Sequence, residues 1–178
     1  MPHASPSSKS QRSTRGARAD AIALLRADHK HVEGLFKSFD KIKEDDDENK
    51  AELVKEICNE LKVHTTIEEE IFYPAAREAM DDTDLLDEAD VEHASAKQLI
   101  QDLETMQPGD DHYDAKVTVL GEYIRHHVKE EQNEMFPKIR KTNLDLKELG
   151  ARLRQRKSEL VSNARGRGAG PADAEMHA

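Results

Sequence analysis

Four histidines and two glutamates occupy positions where a helical protein keeps apolar side chains. Ile22, Leu25, His29, Val32, Phe36 and Phe39 recur at alternating spacings of three and four, the stripe of a core-facing helix. Three further stripes follow: Leu53, Ile57, Leu61, His64, Glu68 and Ile71; Leu86, Ala89, His93, Ala96, Ile100 and Leu103; and Val117, Leu120, Ile124, His127 and Glu131. A carboxylate on a buried seam loses several kcal/mol of hydration unless it is paired or bound to a metal, and two facing each other also repel. No Lys or Arg shares the face of Glu68 or Glu131. Neutral imidazoles and carboxylates around one point form a ligand set for a pair of first-row metal ions, with carboxylates bridging and imidazoles terminal. The two His-x-x-x-Glu pairs, His64 with Glu68 and His127 with Glu131, each put two donors on one helical face about one turn apart.

Positioning these donors takes four helices of ~20 residues, each ~30 Å long. The polar stretches Glu44–Glu48 and Asp81–Asp84 and the turn Gln107–Asp110 separate the stripes, while Pro74 and Pro137 disturb the second and fourth. The expected fold is all-α, an up-down-up-down antiparallel four-helix bundle over 20–142. An extra C-terminal amphipathic helix over 143–162, carrying Leu146, Leu149, Leu153 and Leu160 and interrupted by Gly150, is expected to pack outside it. Residues 1–19 and 163–178 read as disordered tails. The bundle is also an internal duplication. His29 and His93 lie 64 residues apart with matching apolar or small flanks, and each follows an acid, Asp28 or Glu92. His64 to Pro74 and His127 to Pro137 both span ten residues. Two related helix-loop-helix copies would bring all six donors to a common centre.

His31 and His126 fall beside the seam and read as exposed residues or outer supports, and His3, His112 and His177 lie in tails or loops. Tyr123, four residues before His127, could face the centre. It and Tyr73 nevertheless read as packing residues with their hydroxyls at the bundle surface.

Composition narrows the function classes. The chain has 178 residues and a net charge of −10. Residues 1–19 carry +4 and residues 150–178 carry +3, which leaves 20–149 at −17. Such a body repels phosphate backbones, so nucleic-acid binding by it is not expected, although either basic tail could meet an anionic partner. Lone Cys58 permits no internal disulfide, and no segment is apolar enough to span a membrane, so the expected setting is the cytoplasm. The acid-free N-terminus resembles an organelle transit peptide only superficially, since it lacks an apolar stripe.

The pattern His29, His64-x-x-x-Glu68, His93, His127-x-x-x-Glu131, with Asp28 before His29 and the Phe-Tyr-Pro and Met-Phe-Pro endings at Pro74 and Pro137, resembles the hemerythrin-like HHE cation-binding domains over about residues 20–160. The resemblance implies two iron ions in an oxo- or hydroxo-bridged di-iron centre, with Glu68 and Glu131 bridging and the four histidines terminal. Manganese and zinc suit the same donors. It also implies a small ligand, O2, NO or H2O2, that is bound, sensed or broken down. Oxygen carriers of this family have a second histidine one turn after the third-helix ligand, where this chain has Lys97. Four histidines instead of five make the two irons more nearly equivalent and leave each with an open site. Ferritin-like centres, the nearest rival, use Glu-x-x-His and more carboxylates. The functional expectation is therefore a binding or sensing protein for O2, NO or iron, with catalase-like peroxide breakdown as the enzymatic alternative. A metal-free helical interaction module stands as a third possibility.

Overall fold

The computed structural model describes residues 19–42 and 46–168. Helix α1 (Ala21–Phe39) starts where Asp20 Oδ1 accepts the Ala23 N–H at 2.8 Å, satisfying one of the donors a helix start leaves free. Helix α2 (Asp47–Ile67) runs through a π-helical turn (Glu68–Phe72) directly into α3 (Tyr73–Ala79). Helix α4 (Asp84–Glu104) follows, and the turn after it uses Gly109 at φ 92°, a conformation that side-chain-bearing residues avoid. The second half repeats the pattern, with α5 (Tyr113–Glu130), a π turn (Glu131–Met135) and α6 (Phe136–Ile139). Helix α7 (Leu146–Gly168) closes the described chain.

Neighbours α1 and α2, α4 and α5, α2 and α4, and α1 and α5 pack in a closed ring, which is the four-helix bundle the stripes required. Its apolar interior falls into two clusters. One is built around Ile22, Leu25, Phe72, Leu86, Met135 and Phe136, and the other around Val32, Phe36, Ile57, Leu61, Ile100 and Leu120. The buried polar residues interrupt the stripes between these clusters.

Pro74 and Pro137 follow disturbances of the second and fourth helices, a π turn in each, without ending them. Each falls within the first two residues of the α segment that follows a π turn, where a missing N–H matters little. The π turns themselves, closed by Tyr73 N–H to Glu68 O and Phe136 N–H to Glu131 O, add a residue to the turn. They rotate the inward face from Ile71 to Phe72 and Tyr73, both buried.

Gly150 does not interrupt α7. The helix runs to Gly168, past the expected end at 162, while residues 1–18 and 169–178 lie outside the described residues. Its Leu149 and Leu153 are fully part of the core against α1. A Cβ at Gly150 would stand 2.7 Å from the Ala21 nitrogen and 2.8 Å from the Asp20 carbonyl carbon, so the glycine permits this approach. Gly150→Ala is expected to lower the unfolding free energy by ~1–3 kcal/mol, the usual range for an overpacked contact. Urea denaturation of wild type and variant checks it, and equal midpoints would refute the close-packing role.

Candidate metal centre

All six predicted donors converge. His29, His64, His93, His127, Glu68 and Glu131 are buried, and Glu68 and Glu131 are 0% and 1% exposed. The imidazoles form two pairs through Nε2, His29 with His64 at 3.0 Å and His93 with His127 at 3.1 Å. Two nitrogens bound at right angles to one ion at about 2.1 Å stand ~3.0 Å apart, so each pair already has the spacing of two ligands on one metal. The carboxylates join the pairs. Glu68 Oε1 lies 3.2 Å from His64 Nε2, and its Oε2 lies 3.5 Å from His93 Nε2. Glu131 Oε2 lies 3.1 Å from His29 Nε2 and 3.7 Å from His127 Nε2.

Protein groups alone do not satisfy this cluster. Glu68 Oε1 and Glu131 Oε2 are buried without a hydrogen-bond partner, and unmet acceptors of this kind are uncommon in folded proteins. The donor set and these orphaned oxygens fit a metal pair. One group of potential ligands comprises His29, His64, Glu68 and Glu131, and the other comprises Glu68, His93 and His127.

Burial, reinforced by the Glu131 charge, holds the Glu68 carboxyl well above its ordinary value. Burial also acts to raise Glu131, but the His29 imidazole and the field of His127 and His64 outweigh it and bring the group down to about 2. Burial lowers His64 to about 4. For His127, burial is overcome by the Glu92 carboxylate, and the imidazole is raised. The environment thus pushes the two carboxyls in opposite directions, Glu68 toward its protonated form and Glu131 toward its ionised form, which eases the repulsion between them.

Three of the four outer nitrogens are hydrogen-bonded as well. His93 Nδ1 is 3.0 Å from Glu69 Oε1, and His127 Nδ1 is 2.7 Å from Glu92 Oε2. His29 Nδ1 is 3.0 Å from the Gln132 amide, whereas His64 Nδ1 has no hydrogen-bond partner and faces Asp28 Oδ2 at 3.7 Å. Partners of this kind fix the ring and leave Nε2 free to ligate. The duplication supplies them in matched places, Asp28 with Glu92 and Glu69 with Gln132. The acid before each first-helix histidine was the visible sign of one pair, whereas Glu69 and Gln132 carried none. Lys97 points away from the centre and forms an ion pair with Glu69 at 2.5 Å, so it supports His93 from outside and leaves no fifth histidine position.

Tyr73 departs from its expected place. Its hydroxyl is not at the surface but inside the centre, donating to Glu131 Oε1 at 3.0 Å and lying 3.3 Å from His93 Nε2 and 3.4 Å from His127 Nε2. The π turn carries it there, and periodicity gave no warning of the extra residue. The matching residue in the other half is Phe136, which stacks on His29 with ring centroids 6.0 Å apart. The two halves are therefore less equivalent than four histidines implied, because one has a phenol oxygen as a seventh candidate donor. Tyr123 is 48% exposed and stays out of the centre. His31 and His126 are exposed, as is His112, while His3 and His177 lie outside the described residues.

The hemerythrin HHE cation-binding domain profile matches residues 20–139, and the chain belongs to that family. A solved hemerythrin HHE cation-binding domain-containing protein of Mycobacterium kansasii has the same fold, with a TM-score of 0.70, 24% identity, and coverage of 83% of this chain and 91% of that one. A protein of Nostoc sp. described as a DNA nickase is 26% identical over 117 residues, 66% of this chain. The match spans about a third of that relative's length, 32%. Among the described residues no helix is long and apolar enough to cross a membrane.

Proposed function

We propose that the protein is a non-haem di-iron protein that binds, senses or reacts with O2, NO or peroxide in the cytoplasm, in a setting of oxidative or nitrosative stress. The observation that carries this reading is the pair of imidazole pairs, 3.0 and 3.1 Å between nitrogens, joined by two buried carboxylates that each reach both pairs. His29 and His64 would hold one ion, His93 and His127 the other, with Glu68 and Glu131 shared. Nitrogen-rich ligation favours iron, and manganese or zinc would occupy the same donors. When bound, the iron pair supplies redox and Lewis-acid chemistry.

The chain itself limits what reaches the centre. A small cavity of about 10 Å³ lies against the four histidines, walled by Val32, Leu61, Ile124 and Val128. A space of that size admits one water-sized molecule. Larger substrates, including any nucleic acid implied by the description of the Nostoc relative, have no access to these donors, and the acidic body disfavours DNA in addition.

The enzymatic reading, catalase-like peroxide breakdown, draws support from the donor count, because two histidines and two shared carboxylates per ion would leave positions unfilled on six-coordinate iron. Iron content per chain and the visible spectrum of the native protein test the centre, with two irons expected. Oxygen titration of the reduced protein separates the uses. A reversible optical change supports binding or sensing, whereas oxygen evolution from peroxide that is lost in His64→Ala supports the enzyme. Purified protein with no stoichiometric metal after anaerobic Fe2+ addition would refute both.

A further inference from the structure

The two halves of the bundle differ on their outer faces. In the first half α7 covers the face beside Asp28, and Lys157 Nζ reaches Asp28 Oδ1 at 2.7 Å. Among the described residues the matching face of the second half is exposed. There a groove of about 540 Å³ is lined by Asp87, Glu88, Val91, Glu92, His126 and Glu130. His126 is 63% exposed, and its Nε2 lies 3.3 Å from Glu130 Oε1 and 3.5 Å from Glu92 Oε1. One imidazole and two carboxylates, drawn from two helices, offer ligand atoms within 4.8 Å of one another.

These residues repeat the chemistry of the core. His126-x-x-x-Glu130 has the same spacing as the two ligand pairs, but it is rotated by one residue to the outside of α5. The corresponding residues of the first half are Val63 and Ile67, so the duplication alone does not account for it. A second observation ties the cluster to the centre. Glu92 directs Oε1 toward His126 while its Oε2 receives the His127 Nδ1 hydrogen at 2.7 Å. A single carboxylate thus spans the solvent-facing donors and a core ligand. Asp87 is already paired with Arg77 at 2.6 Å, and with Glu92 Oε2 engaged by His127 the ligand atoms of the cluster are His126 Nε2, Glu130 Oε1 and Glu92 Oε1.

We propose that His126, Glu130 and Glu92 form a solvent-facing site for a first-row divalent cation, from which ions pass to the buried centre. Mixed imidazole and carboxylate ligation suits Fe2+, Mn2+ and Zn2+, and an exposed site with three protein donors leaves positions for water, so it holds its ion loosely enough to release it. The proposal rests on the reading of the six core donors as a metal centre.

The test uses the full chain. After the core has been filled with iron and oxidised, Mn2+ is added and the free ion is counted by electron paramagnetic resonance. Wild type is expected to take up one further Mn2+ per chain, and His126→Asn and Glu130→Gln to take up none. In metal-free protein mixed anaerobically with Fe2+, both variants are expected to fill several-fold more slowly than wild type while ending at the same two irons per chain. Two core irons without a further Mn2+ site, or variants that fill at the wild-type rate, overturn this site alone. A wild-type protein that never holds two core ions overturns the core reading with it.

Discussion

Glu68→Leu is expected to raise the thermal midpoint of the metal-free protein and to lower that of the iron-loaded protein. In the metal-free state Glu68 is 0% exposed and has Oε1 without a hydrogen bond. Burial and the Glu131 charge hold its carboxyl well above the ordinary value. Replacing such a group by a well-packed apolar side chain is often stabilising by about 1–4 kcal/mol, and leucine is close to glutamate in length. Bound metal reverses the sign, because the carboxylate reaches both imidazole pairs and a filled site contributes on the order of 10 kcal/mol to the folded state. Calorimetry with iron and with chelator separates the two states. A variant more stable than wild type under both conditions would favour the metal-free interaction module, and one less stable under both would mean that Glu68 packs better than its orphaned oxygen indicates.

The same residue shows where sequence reading succeeds and where it stops. Glu68 and Glu131 were legible because a charged residue in an apolar register is costly, and a second copy at the same spacing makes coincidence a poor explanation. The four histidines were legible for the same reason, and the bundle followed from the stripes that contain them. Tyr73 was not legible, since straight-helix spacing carries the inward face from Glu68 to Ile71 and only the π turn substitutes Phe72 and Tyr73. Helix α7 was visible as a leucine stripe, but its glycine looked like a break. Local propensity favours that reading. The contact with Ala21 explains Gly150 only once α1 lies beside it. Glu69, Gln132 and Glu92 lie off the apolar register, where charged and amide residues are ordinary, and only the fold shows which imidazole each one supports.

These supports also make the halves unequal. His93 rests on Glu69, whose carboxyl the hydrogen bond from His93 and the Lys97 ammonium bring down to about 2, whereas His29 meets a neutral amide. An ionised partner makes an imidazole a stronger donor to metal than an amide does. The phenol of Tyr73 stands beside the pair of His93 and His127, while its duplicate Phe136 stacks on His29 of the other pair. Two ions bound here would therefore differ in electron density, despite matching histidine counts.

Metal affinity is expected to fall steeply on acidification, through protons that particular ligands retain in the metal-free protein. His64, lowered to about 4 by burial, and Glu131, brought down to about 2, are already in their ligating forms at neutral pH. His93 is likewise lowered by burial, against the opposing pull of Glu69. Glu68 is the opposite case, since burial and the Glu131 charge raise it, and it must lose its proton before it can bridge. His127 is also raised, by Glu92 against the effect of burial, so a proton competes with metal for its imidazole up to a higher pH than for the other histidines. The sign follows directly. Binding releases protons, so lowering the pH opposes it, and each proton displaced changes the apparent affinity by about tenfold per pH unit below the raised value. From pH 7.5 to pH 6 the apparent affinity for Fe2+ or Zn2+ is expected to drop, by at most about 30-fold for each proton displaced. Competition against a chromophoric chelator of known proton affinity measures the drop, and a weakly buffered titration with a pH indicator counts the protons directly. Glu68→Gln is expected to release one proton fewer and to bind more weakly at every pH. Affinity that does not change across this range would mean that Glu68 is ionised before metal arrives, and the displacement of the two carboxyls in opposite directions would have to be abandoned.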